Sequence, residues 1–313
     1  MKKRTDIAYK RSVNFKKKVL IFICFVAFVC FAVFISVTVI RIFSSAPDTT
    51  QLEQLWIDEN YQAVYDASVN ILADDPFHNL ALTYRGYSAF YLALSETDTV
   101  NIHSYIDTAI NALHLALLDA NQNVKPQIEY MLGKTYFHKN RLSAYYYYAD
   151  LAIYYLNSAL NNGYNAVDIY EYLGLSYASL NMANESIIFF TEALLVNNSD
   201  ILRMAISEQY YSIGNNDAAK PYLYQIKNAS TDDRLIIQCS DLLGKIYMAE
   251  GNYAEAENEF HTILEKDENS ADAYYGLGLV YEQQGDFVKA RAQWRLALEK
   301  QVNHQGAREK IGL

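Results

Sequence analysis

The chain of 313 residues has a formal charge of −10, with 26 Lys and Arg against 36 Asp and Glu, and that figure hides two opposite regions. Residues 1–18 hold eight basic side chains and one acid, Asp6, a balance of +7, whereas the rest hold 18 basic and 35 acidic side chains, a balance of −17. An acidic body repels phosphate backbones, which argues against nucleic acid as its partner. With two of the three cysteines in one apolar run and Cys239 alone beyond it, an intramolecular disulfide in the body is excluded.

In chain order, the basic tail over 1–18 comes first. It abuts residues 19–40, VLIFICFVAFVCFAVFISVTVI, 22 residues without a charge. That length crosses a hydrocarbon core of roughly 30 Å as a helix, so a transmembrane helix is expected over 19–41, closed by Arg41. No Lys or Arg follows until Arg85, while Asp48, Glu53, Asp58, Glu59 and Asp66 accumulate. The asymmetry predicts a single-pass cell-membrane protein with a cytoplasmic N-terminus and an extracytoplasmic body, periplasmic in a Gram-negative-like cell. A cleaved signal peptide is the rival. Its apolar region typically runs about 7–15 residues, and here Pro47 follows the candidate site at Ser44, Ser45 and Ala46, so an uncleaved signal anchor is expected. Residues 42–50 then read as a linker.

The body repeats itself. Residues 271–304 align without a gap on residues 237–270: Leu277 on Leu243, Gly278 on Gly244, Tyr281 on Tyr247, Gly285 on Gly251, Ala290 on Ala256 and Trp294 on Phe260. Looser copies keep parts of the pattern. Residues 167–199 keep Leu173, Gly174, Tyr177, Phe190 and Ala193; residues 200–233 keep Tyr210, Gly214 and Ala219 but put Ser207 at the glycine position. Residues 126–166 keep Leu132, Gly133 and Tyr136, with Ala159 seven residues late, which predicts a second helix longer by about two turns. Residues 79–125 keep Gly86, with a polar insertion from Ser95 to Asn101 expected to part the two helices, and residues 51–78 are the least regular. Residues 305–313 begin another first helix and read as a cap.

A large residue, Leu-Gly, Tyr, a glycine turn, Ala and an aromatic over 34 residues resembles the tetratricopeptide repeat family. The resemblance covers about 51–304 and implies an all-α fold, a right-handed superhelical solenoid of antiparallel helix hairpins in about seven units, preceded by the transmembrane helix. Few alternating β-branched runs leave no room for a sheet.

No catalytic constellation emerges, so no enzyme and no cofactor are expected. The six histidines show no pair at ligand spacing with an adjacent acid, which argues against a metal site. Gly133, Lys134 and Thr135 resemble the end of a phosphate loop, but Ile128 stands where the upstream glycine is needed. Asn184, Asn197 and Asn228 head Asn-x-Ser triplets. The four consecutive tyrosines at 145–148 would point around most of a helix circumference, which leaves both an exposed interface cluster and burial open.

In the tetratricopeptide family the first helix of each hairpin lines a concave groove. The resemblance then places Tyr130, Met204 and Tyr275 at position 5 of their units. It places Tyr87, Lys134, Leu175, Lys245 and Leu279 at position 9, and Phe90, Phe137, Tyr211 and Met248 at position 12. The Lys and Asn set with which some members clamp a C-terminal carboxylate is missing. An aromatic and aliphatic groove suits an extended peptide or an amphipathic helix of another protein, such as a component of a membrane complex. The expected function is a membrane-anchored protein–protein interaction scaffold or adaptor. The alternative is a sensor or regulator that binds a small molecule or cell-wall fragment through the solenoid.

Overall fold

The computed structural model describes residues 31–36, 49–143 and 148–312. The basic tail, most of the expected transmembrane helix and linker, and Tyr145, Tyr146 and Tyr147 lie outside the described residues, whereas Tyr148 is half-buried with its ring stacked on Tyr136 at 6.2 Å. Residues 31–36 are helical and exposed, and no helix among the described residues is long and apolar enough to cross a membrane.

The described residues form helices and no strand. The chain divides into two compact units, one ending at Asn60 and one running from Tyr61 to Leu313. The first contains α1 (Thr49–Ile57), so the division falls inside the expected unit 51–78 rather than before it. The second contains α2 (Tyr61–Asp74), α3 (Asn79–Ser95), α4 (Thr99–Leu118), α5 (Lys125–Leu142), α6 (Ala149–Asn161), α7 (Ile169–Ser179) and α8 (Ala183–Val196). It continues through α9 (Asp200–Ser212), α10 (Asn216–Ala229), α11 (Asp233–Glu250), α12 (Tyr253–Lys266), α13 (Ala271–Gln283), α14 (Phe287–Lys300) and α15 (Gln305–Ile311).

Consecutive helices pack as hairpins, and the first helix of a hairpin also touches the first helix of the next: α3 with α5, α5 with α7, α9 with α11 and α11 with α13. Among the described residues successive second helices are not in comparable contact, so the stack curves with its first helices on the inner side. This is a helical-repeat solenoid of the tetratricopeptide kind. The core is accordingly a string of clusters. The largest joins Phe90, Leu113, Leu132 and Leu156 across α3 to α7; smaller ones centre on Phe190, Leu223, Phe260 and Trp294.

Local chemistry explains the hairpins. Gly251 ends α11 at φ 78°, where its N–H caps the helix, a conformation that costs a Cβ-bearing residue steric energy. In the unit 167–199 that turn position is Asn181, at φ 57°, the side chain that best tolerates the left-handed region. Ser207, at the helix-crossing glycine position, is buried, and its hydroxyl donates to the Arg203 carbonyl at 2.8 Å. Two length expectations are corrected. In the unit 126–166 the second helix, α6, has 13 residues and the first, α5, has 18. The surplus therefore lies in α5 and in the stretch between Leu142 and Ala149. In the unit 79–125 the helices themselves grow, to 17 and 20 residues, and Glu96, Thr97 and Asp98 alone separate them.

Candidate groove and C-terminal cleft

The twelve predicted groove residues separate into three places. Tyr211, Lys245, Met248, Tyr275 and Leu279 line one cleft of about 450 Å³ on the inner side of α9, α11 and α13, closed by the start of α15. Leu175 and Met204 line a second, of about 550 Å³, between α7, α9 and α11. Phe90, Tyr130, Lys134 and Phe137 are buried and Tyr87 is half-buried, so the N-terminal part of the expected groove is filled by its own side chains.

Lys134 shows how that filling works. Its ammonium donates to Asp168 Oδ2 at 2.9 Å and to the Tyr130 hydroxyl at 3.1 Å. The rings of Tyr172, Tyr130 and Phe90 surround it at 4.9, 5.1 and 5.6 Å. A cation taken from water in this way is held by a carboxylate and three π faces at once. Tyr130 in turn donates to Asp168 Oδ1. Burial first, then that hydrogen bond, pushes the Tyr130 phenol far above its ordinary range. The side chain that ends a would-be phosphate loop is therefore an internal counter-ion.

His138, one turn on, lies edge-on to Phe90 and Phe137 and 3.3 Å from the Tyr172 hydroxyl. Burial, with Arg141 and Lys134 nearby, lowers its pKa to about 4.

The C-terminal cleft is open and differently made. Its apolar walls are Met248, Phe260, Leu279 and the rings of Tyr211 and Tyr275. Lys245 pairs with Asp241 at 2.6 Å across one helical turn. Asp272 accepts from His304 Nε2 at 3.1 Å, while His304 Nδ1 accepts the Ala307 N–H at 3.0 Å. That second bond requires Nδ1 to be unprotonated and leaves the ring proton on Nε2, facing Asp272. The imidazole also lies 4.9 Å from the Tyr275 ring. The cleft thus offers an aromatic floor with two carboxylates and one ammonium at its rim, which is suited to hold apolar side chains in register with charged neighbours.

Several lining residues were absent from the sequence-derived set. Asp272 stands three and seven residues before Tyr275 and Leu279 and so shares their face of α13. His304 ends the last unit and Gly306 comes from the cap, and their contribution depends on α15 folding back over α13. In the second cleft Glu208, at position 9, joins Leu175 and Met204, and burial raises its pKa. Among the described residues no group of His, Cys, Asp and Glu is placed to hold a metal ion. Cys239 is buried, its thiol 3.1 Å from the Leu223 carbonyl, and burial pushes it up to about 12.

Comparison with known proteins agrees with this geometry. Residues 242–308 match the tetratricopeptide repeat family. No curated protein matches the sequence significantly. Among solved structures, the C-terminal part of a TPR repeat-containing protein from Cytophaga hutchinsonii superposes with a TM-score of 0.63 at 14% identity, covering 85% of this chain and 100% of its own. The apo form of the quorum sensor NprR from B. thuringiensis gives 0.57 at 18% identity, over 88% and 80%. YrrB, described as a TPR protein with an unusual peptide-binding site, gives 0.50 at 21% identity, over 66% and 100%. At these identities the likeness is one of fold.

Proposed function

We propose that this chain is a membrane-anchored protein-interaction scaffold whose C-terminal cleft takes an extended peptide or an amphipathic helix of a partner protein. One observation carries the reading: five residues that the family resemblance assigns to groove positions converge on a single cleft. The repeat places the same groove positions on each first helix, and stacking brings them together. The peptide-binding site named for YrrB supports the same use of a tetratricopeptide-like solenoid. The anchor rests on the uncharged run over 19–40 beside the +7 tail, which would hold the acidic body outside the cytoplasm.

The test is photo-crosslinking from Leu279 in the full chain, in the cell that expresses it. A protein adduct that Tyr275→Ala and Lys245→Glu each weaken is the expected result. No protein adduct from a folded chain would overturn the scaffold reading, and a thermal shift with cell-wall fragments would then favour a sensor. A phosphatase fused after Leu313 should be active if the body is exported; an inactive, intact fusion removes the proposed orientation.

A further inference from the structure

The outer side of α14 carries an exposed patch of apolar and basic side chains. Phe287 and Val288 are 62% and 83% exposed, and with Arg291, Ala292 and Arg295 they border a shallow groove of about 360 Å³. Residues 287, 291 and 295 recur every four positions and so share one helix face. Neither arginine has an ion-pair partner among the described residues. One repeat earlier the place of Phe287 also holds an aromatic, Tyr253, but those of Val288, Arg291 and Arg295 hold Ala254, Glu257 and His261, so the exposed valine and the two arginines are what the repeat does not require.

Charge isolates the patch further. From residue 287 onward six basic side chains stand against two acids, a balance of +4, whereas residues 19–286 hold 12 basic and 33 acidic side chains, a balance of −21. An anionic lipid surface is a poor occupant, because it would have to draw in a body of net −17. The reciprocal surface is on the same molecule. The C-terminal cleft has aromatic and aliphatic walls with Asp241 and Asp272 at its rim, and the Asp272 side chain is 83% exposed.

We propose that the α14 patch is a second docking surface, and that its occupant is the C-terminal cleft of a second copy of this chain. Phe287 and Val288 supply the apolar anchors for the cleft, and Arg291 and Arg295 meet its carboxylates. Patch and cleft are different surfaces, so each contact leaves one of each unused. Those two free surfaces either pair with each other, closing a two-fold dimer, or bind further copies, giving rings or open chains. This inference rests on the reading of the cleft as a site for a helix or peptide.

The test places a photo-reactive benzoylphenylalanine at Val288 of the full chain in the expressing cell. An adduct of twice the chain mass, with cross-linked peptides from α11 or α13, is expected. Arg291→Glu with Arg295→Glu should reduce it by about tenfold or more, and a co-expressed copy carrying Asp241→Lys and Asp272→Lys should restore it. Adducts with lipid alone, with other proteins alone, or none from a folded chain overturn the inference. Should they occur while Leu279 still captures a partner protein, the self-association falls and the scaffold function stands. If Leu279 also captures nothing, both fall.

Discussion

Gly174 lies beneath the ring of Phe190, so close that a Cβ built on it would stand 2.5 Å from Phe190 Cδ1. Both residues are buried at the centre of their hairpin, and neither backbone nor ring has room to yield. Gly174→Ala is expected to destabilise the protein by about 1–3 kcal/mol, read as a lower urea midpoint. Adding Phe190→Leu should recover part of the loss, since the smaller side chain removes the clash. His138 gives a pH signature. Its folded pKa of about 4 lies below the ordinary value near 6.5, so in the window between them the unfolded chain binds more protons. Stability should rise with pH across that window and level off above it. His114, also lowered by burial, contributes in the same direction. His138→Gln should flatten the change in denaturation midpoint between pH 4.5 and 7, and an unchanged slope would remove His138 as its source. Gly174 was legible from sequence because the repeat places it there. Lys134 was not, because its carboxylate, Asp168, is supplied by the next unit, 34 residues away.

At the scale of the element, α3, α4, α9, α10, α11, α13, α14 and α15 begin where a polar side chain caps them. Asp98 Oδ1 accepts the N–H groups of Val100 and Asn101 at 2.9 and 3.0 Å, opening the 20-residue α4. Asp98→Ala leaves those donors to water and should cost about 1 kcal/mol. Hydrogen exchange should quicken in the first turn of α4 and leave its centre unchanged. The same element shows where sequence reading stops. The surplus residues of the units 79–125 and 126–166 were visible as broken phase. Phase alone does not say whether extra residues extend a helix or a connection. A further turn of helix and a looser link both restore the buried face, and packing against the neighbouring hairpin chooses between them.

Across the whole molecule, the core is unevenly distributed. The cluster spanning α3 to α7 is the largest, while α15 buries Ala307 and the last cluster is built mainly from alanines around Trp294. A solenoid whose hairpins contact only their neighbours unfolds locally at its weaker parts. Hydrogen exchange should therefore be slowest in α3 to α6 and at least about tenfold faster in α14 and α15. Uniform protection along the stack would contradict a segmented core.

The sequence by itself determined the repeat, its helical hairpins and the phase that selects the inner face, because a 34-residue period with a small residue facing an aromatic has few other solutions. It also set the two-sided charge and the uncharged run that support an anchor. Only the tertiary structure decided which inner residues are open. The same repeat positions that line a cleft at Lys245 and Met248 are sealed at Lys134 and Phe137. Longer helices and a dense set of tyrosines fill the N-terminal units, and their closure depends on neighbours that one repeat cannot specify.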